Sequence, residues 1–405
     1  MSRTERAIGW EQMFARRTRV DVGEGLASIL ALSGATDLIS FAGGFPDPET
    51  FPVEVLRDLF ERIADDPVAF QYAPTPGLPG PRAFMADRLE SLEGRRPADE
   101  ELLITSGGIE ALELLGKSLI DPGDLVLVEG PTYLGAIMAF RSFEANVIAV
   151  PMDEDGLDVE RLEETVRERG RPKLLYTIPD HQNPAGVSLA EERRGALIEV
   201  ARRHGFLVVE DVAYRELGFE GDRLPSLWTL GPDVVVQAGT FSKTFFPGVR
   251  LGWAAGPAEI VAQMVNAKQN TDQCAGALGQ RLIEEYGRSG GLETQAERAR
   301  KLYGRRCRLM LDALDVHAPE GIRWTRPRGG FFTWLTYPEG TDTAAMAKEA
   351  MERKVAFVPG APFFPDGAGA NTLRLSFSKV ADDEIEEGIR RLAEVSAAHL
   401  EGGTR

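Results

Sequence analysis

The sequence predicts an α/β protein in two parts, a large domain on a mostly parallel seven-stranded sheet between helices and a smaller α+β domain after it. Three observations carry this expectation. From about residue 100, short β-rich runs alternate with helical stretches. The runs are continuously apolar, as strands covered on both faces are. After about residue 290 the alternation stops, and a long charged helix, short strands and a final helix follow.

Taken in order, residues 1–50 read as an arm that packs with the smaller domain, 51–290 as the large domain and 291–405 as the small one. The seven runs are "ELLIT", "LVLVE", "NVIAVPM", "KLLYTIP", "FLVVED", "VVVQAG" and "RLGWAAG". Between them lie stretches such as "AEERRGALIEVARRHG", in which Leu197, Ile198, Val200 and Ala201 form one apolar stripe and Gly205 ends the helix. The small domain is expected to hold the helix "ETQAERARKLYGRRCRLMLDAL", strands in "FFTWLTY", "VAFVPG" and "TLRLSFS", and the helix "ADDEIEEGIRRLAEVSAAHL".

Composition narrows the function. The 405 residues are 43% hydrophobic and 27% charged, ordinary values for a globular protein in water. Apolar runs are too short to span a membrane, and the charged N-terminus lacks the apolar core of a signal peptide, so the cytoplasm is the expected compartment. Two cysteines make no disulfide framework and four histidines no evident metal cluster, so no metal site is expected. The formal charge of −17 argues against a nucleic-acid partner, since phosphates would be repelled over most of the surface.

In sheets of this kind ligands sit at the carboxyl ends of strands, and polar residues cluster there: Ser106, Gly107, Gly108, Asn183, Asp211, Ser242 and Lys243. In "ITSGGIEALELLGKSLI" a glycine-bearing turn leads from a strand into a helix with Leu112, Leu115 and Leu119 on one face. Such a turn offers free amides and a positive helix end to a phosphate, although a plain tight turn is an equal reading. Asp211 ends an apolar strand in "VVEDVAYRE", where a carboxylate needs a cationic partner unless it caps a helix. Tyr214 lies just after it. His181, in "PDHQNPAG", reads more readily as a structural histidine than as a base. Lys243, in "GTFSKTFFPGVRLGW", sits among apolar residues, where a lysine must be paired, neutralised or modified. A strand-end aspartate, this lysine, and Thr240, Ser242 and Arg250 around it together suit pyridoxal phosphate, which needs an amine, a carboxylate and a cup of donors.

These motifs, with "LISFAGGFPDPETFP", "YAPTPGLPGPR", "EGPTY", "RPRGGFFTW" and "LRLSFS", resemble the fold-type-I, class I/II aminotransferases. The resemblance is strongest to the 2-aminoadipate and kynurenine branch, which also includes the aminotransferase-like half of MocR-type regulators. It implies a pyridoxal-phosphate transaminase in which Lys243 bonds the cofactor and moves the proton, and Asp211 partners the ring nitrogen. By the same resemblance Asn183 and Tyr214 bind the 3-oxygen and Tyr133 stacks on the ring. The phosphate cup would be Ser106, Gly107, Gly108, Ile109, Thr240, Ser242 and Arg250. Tyr72 would reach the phosphate of a neighbouring subunit, implying a homodimer with shared sites. Arg374, with Gly44 and Asn183, would hold the substrate α-carboxylate. The expected reaction moves an amino group from an L-amino acid to 2-oxoglutarate or pyruvate by a ping-pong cycle.

Two positions depart from the family pattern. Ile109 stands where a glutamine is usual, and Ala27 where the aminoadipate branch has an arginine for the distal carboxylate, with Arg16, Arg17 and Arg19 nearby. An apolar or aromatic donor is then at least as well expected as a dicarboxylic one, with Phe331 and Phe332 as possible walls. The same groups would serve a β-lyase, a decarboxylase or an amino-acid oxidase. A non-catalytic sensor is the remotest reading, because a MocR regulator's basic winged helix precedes this part and "ISFAGG" ends here by residue 44.

Overall fold

The computed structural model describes residues 10–18, 38–221 and 223–402. Its first strand, Ile39–Ser40 (β1), pairs in parallel with Val355–Ala356, far along the chain. The large sheet contains Leu102–Thr105 (β2), Leu125–Gly130 (β3), Asn146–Asp153 (β4), Gly156–Leu157 (β5), Leu174–Thr177 (β6), Leu207–Asp211 (β7), Val235–Thr240 (β8) and Gly252–Ala255 (β9). Their order is β2-β9-β8-β7-β6-β3-β4-β5.

Seven of these strands are the seven apolar runs. The eighth, β5, is a two-residue return on β4 that pairs Met152 with Leu157, too short to leave a periodic signature. Neighbours from β8 to β4 are parallel, with helices in the connections between them, whereas β9 runs antiparallel to both β8 and β2. The cause is the connection. Between Thr240 and Gly252 there is only a looped segment with one short turn of helix, Pro247–Val249, and a parallel return needs a longer crossover. That loop carries Lys243 across the carboxyl end of β8.

Side-chain alternation explains the apolar runs. Leu103, Val126, Val128, Leu174, Tyr176, Val209 and Val236 pack on one face with Leu112, Leu115 and Phe140. Their neighbours Leu102, Leu127, Leu175, Val208 and Val235 pack on the other with Phe84, Leu89, Leu162, Leu197 and Trp228. Both faces are therefore dry, and each such side chain contributes about 1.5–3 kcal/mol of burial free energy. The helix Glu191–His204 ends as read from the sequence, with Gly205 at φ 70°.

A second sheet, all antiparallel, holds Arg323–Trp324 (β10), Phe332–Thr336 (β11), Val358–Pro359 (β13) and Thr372–Ser376 (β14), in the order β10-β11-β14-β13. The run "VAFVPG" divides: Val355–Ala356 (β12) takes β1, and β13 takes β14. The helices Gly291–His317 and Ile385–Gly402 pack on each other beside this sheet. Among the described residues no helix is long and apolar enough to cross a membrane, and no cluster of ligands suited to a metal occurs.

Candidate active site

Strand register sets the site. Asp211 lies opposite Ala238, and both Thr240 and Thr105 lie opposite Gly252, so these strands end side by side. Above them is a cavity of about 280 Å³. Lys243, Asp211, Asn183, Tyr214, Tyr133, Thr240, Ser242, Arg250, Arg374, Gly44, Gly108 and Ile109 all line it. The groups singled out from separated motifs thus converge on one space.

Lys243 is half-buried, and its Nζ donates to the Gly44 carbonyl at 2.9 Å. Burial first, then the charges of Arg374 and Arg250, push its pKa down to about 8, with Asp211 pulling the other way. About a tenth of the amine is then neutral at pH 7, far more than for an ordinary lysine, and a nucleophilic lysine requires that form. Asp211 closes β7. Its Oδ2 accepts from Tyr176 Oη (2.7 Å) and its Oδ1 from the Ala213 N–H (3.0 Å). Burial raises its pKa, and these two bonds and Lys243 counter the rise. A cationic ring nitrogen would meet the same need. Tyr214 is buried against the edges of Phe331 and Phe332, and burial raises its phenol while a bond with Asn183 opposes the rise.

At the other end of the cavity Thr240 Oγ1 donates to Ser242 Oγ (2.9 Å) and accepts from the Ser242 N–H (3.1 Å). Arg250, at φ 51°, directs its guanidinium to Ser242 Oγ and the Ser106 carbonyl (3.3 Å each) and forms no ion pair among the described residues. Gly107, at φ 102°, leaves the space this requires: a Cβ there would lie 2.5 Å from Arg250 Nη2. The helix Gly108–Leu119 starts at this point with its free amides. An uncommitted guanidinium, two hydroxyls and a helix N-terminus around a glycine cradle fit a phosphate. Tyr133 begins the next wall, its ring lying where a Cβ on Gly135 would be, 2.4 Å from Cζ. Amine, carboxylate, stacking ring and phosphate cup are all present, so pyridoxal phosphate fits.

Arg374, on β14, is buried. Its Nη1 donates to Asn183 Oδ1 (3.0 Å) and its Nη2 to the Ala42 carbonyl (2.7 Å), whereas Nε has no partner. The guanidinium lies between Phe332 and Phe363, 4.3 and 4.9 Å from their centroids. Burial lowers its pKa to about 10. A buried cation with no carboxylate beside it among the described residues suits an anionic group of the substrate.

The remaining residues singled out from the sequence divide, some placed as expected and some not. Ser106 does not line the cavity, because its hydroxyl donates to Asp272 Oδ2 at 2.7 Å. Gly107 acts through the room it leaves for Arg250. Tyr72 is 79% exposed and belongs to a separate surface depression with Gln273 and Cys274. Phe332 is a wall, but Phe331 stands behind it in the core with Tyr303. His181 is pushed down to about 4 by burial, with its ring against Gly218 and Gly329 and outside the cavity lining. Arg16 pairs with Glu144 on the surface at 2.6 Å, Arg17 is exposed, and Ala27 and Arg19 lie outside the described residues. Phe45, Leu134, Ile178, Ala213 and Phe363 also line the cavity and escaped the sequence reading, since nothing local marks an apolar residue as facing a cavity rather than the core.

Residues 36–392 match the family model of class I and II aminotransferases. The chain is 41% identical to a 2-aminoadipate transaminase of Thermus thermophilus over 391 residues, 95% of this chain and 96% of that protein. It is 36% identical to aromatic-amino-acid aminotransferase 1 of Thermococcus litoralis over 394 residues, 96% and 94% of the two chains. Its fold is similar to the crystal structure of an α-aminoadipate aminotransferase from Thermus thermophilus complexed with N-(5′-phosphopyridoxyl)-L-leucine. There the TM-score is 0.90 and the identity 40%, with 97% of this chain and 100% of that one covered.

Proposed function

The chain belongs to the class I and II aminotransferases and is a pyridoxal-phosphate-dependent transaminase, and from that premise we propose that its donors are L-amino acids with apolar or aromatic side chains. The acceptor is a 2-oxo acid, 2-oxoglutarate or pyruvate. One observation carries the choice of donor. Among the described residues, beyond the groups that serve the cofactor, the lining offers the single guanidinium of Arg374, and the surface around it is Phe45, Leu134, Phe332 and Phe363. One cation binds the α-carboxylate, and an apolar wall favours an apolar side chain.

Pyridoxal phosphate bound here supplies an aldehyde for the amino group and a ring that accepts the electron pair left when the α-proton departs. Lys243 would hold that aldehyde covalently, and its amine, when free, would serve as the base that moves the substrate's α-proton. Asp211 would hold the ring nitrogen. Tyr214 and Asn183 would hold the 3-oxygen, and Asn183, bonded to Arg374, ties that end to the carboxylate site. Tyr133 would cover the ring face. Thr240, Ser242, Arg250 and the amides of Gly108 and Ile109 would take the phosphate, with Gly107 leaving room for Arg250. The Gly44 carbonyl accepts from Lys243 Nζ when that lysine is free. Water exclusion comes from Phe332 and Phe363.

The working unit in this reading is a homodimer in which Tyr72 reaches the partner's phosphate. Phe60, Val68, Phe70 and Tyr72 are exposed on neighbouring segments, at 45–79%, as an interface surface would be. The parts of the chain are an arm to residue 50, a cofactor domain at 51–290 and a small domain at 291–405, and the compartment is the cytoplasm, where the free thiols Cys274 and Cys307 stay reduced.

A panel of donors with 2-oxoglutarate tests the assignment. Leucine, methionine, phenylalanine and tyrosine should exceed glutamate and aminoadipate in kcat/KM, and each should convert the cofactor to its amine form with one equivalent of 2-oxo acid. Preference for the dicarboxylic donors would overturn the donor class. Release of ammonia or carbon dioxide without the amine form would overturn transamination.

A further inference from the structure

Lys268, on the helix Ala258–Gln269, is fully buried. Its Nζ lies 2.8 and 2.7 Å from the two oxygens of Glu110 and 2.8 Å from each oxygen of Asp272. Glu110 sits in the first turn of the helix Gly108–Leu119, and Asp272 just beyond the end of the lysine's own helix. Ser106 closes the cluster: its hydroxyl donates to Asp272 Oδ2 (2.7 Å) and its N–H to Glu110 Oε2 (2.5 Å). Ser106 is also where Arg250 rests, through the 3.3 Å contact to the Ser106 carbonyl. One ammonium thus holds the turn that presents the Gly108 and Ile109 amides and seats the Arg250 guanidinium.

Two carboxylates beside a phosphate-binding helix end are an electrostatic liability. They would repel a dianion and reduce the benefit of the helix dipole. With Ile109 in place of a polar side chain, the phosphate end relies on backbone amides, two hydroxyls and Arg250, so the placement of that turn decides the binding.

Resting on the pyridoxal-phosphate reading above, we propose that Lys268 is a positioning residue for the phosphate end of the site. It clamps Glu110 and Asp272, fixes Ser106 and offsets one of the two negative charges beside the turn that leads into the Gly108 helix.

Pyridoxal, which shares the aldehyde and ring but lacks the phosphate, provides the control. Holoenzyme is stripped of cofactor, and the affinities of pyridoxal phosphate and pyridoxal are measured by fluorescence quenching, together with the release rate of bound pyridoxal phosphate. Lys268→Met should weaken pyridoxal phosphate by about ten- to hundredfold, the size of an uncompensated charge at this range, and leave pyridoxal unchanged. Glu110→Gln keeps an acceptor for the Ser106 N–H while removing one negative charge, and should shift the ratio the other way, about three- to tenfold in favour of the phosphorylated form. Parallel loss of both ligands in Lys268→Met would mean a merely structural ammonium and overturn the proposal. If that variant does not fold, an unchanged ratio in Glu110→Gln overturns it instead. Wild-type protein that binds neither ligand would remove the cofactor reading itself.

Discussion

Replacing Arg374 with lysine separates substrate recognition from every other task of the site. The guanidinium spans Asn183 Oδ1 at 3.0 Å and the Ala42 carbonyl at 2.7 Å, with Nε unspent and both faces covered by phenyl rings. A lysine keeps the charge but has one point of contact and cannot present two parallel donors to a carboxylate. Each charge-assisted bond contributes about 1.5–3 kcal/mol. Losing one of them, together with the planar geometry, costs about 2–4 kcal/mol of transition-state binding, or about 30- to 1,000-fold in kcat/KM. Leucine would be a poorer probe, because it leaves Asn183 and Ala42 unsatisfied at about 1–3 kcal/mol each. The assay is steady-state transamination of phenylalanine or leucine beside a primary amine of similar shape that lacks the carboxylate. The amino acid should lose its advantage mainly through KM, the amine should be unaffected, and the visible spectrum of the holoenzyme should stay as it is. An equal fall for amine and amino acid, or no fall for either, would refute the placement of the carboxylate on Arg374.

Three further outcomes are expected. Because Lys243 has a pKa near 8 and only its neutral form attacks an aldehyde, the rate of cofactor incorporation into stripped protein should rise about fiftyfold from pH 6 to 8 and level off above; a rise continuing past pH 9.5 would mean an ordinary lysine. Gly107→Ala places a Cβ 2.5 Å from Arg250 in a left-handed backbone, and should weaken pyridoxal phosphate by about tenfold or more with little change for pyridoxal, which equilibrium titration reads directly. Glu129 is raised from 4.5 to about 7 by burial, against bonds from Thr177, Gln182 and the Ile178 N–H. A folded pKa above the unfolded one gives stability that is full below about pH 4.5 and lost as pH rises through about 7. Glu129→Gln should therefore lose less melting temperature than wild type between pH 5 and 8 by calorimetry, and identical slopes would exclude the carboxyl as the source.

Much of the site could be read without coordinates because its parts are local. A glycine pair between a strand and a helix, an aspartate at the end of an apolar run, and a lysine with hydroxyls before it and an arginine after it each leave a signature within a dozen residues. Periodicity likewise gave all seven long strands, since a sheet dry on both faces demands continuous apolar runs. The chain direction of β9 was not legible, because it depends on how far the Lys243 loop travels. Nor was the orientation of Ser106: its hydroxyl could face the phosphate cup or Asp272, and only the arrival of a helix from residues 258–269 with its buried ammonium decides for Asp272. Phe332 opens β11 and Phe331 immediately precedes it, so successive side chains face opposite ways, one to the core and the other to the cavity, and Phe363 joins them from a distant short helical turn. The sequence by itself determined which chemical groups exist and the local turns that expose them. Which of them meet, and which face away, was settled by contacts between segments far apart in the chain, because side-chain direction follows the partners that packing supplies.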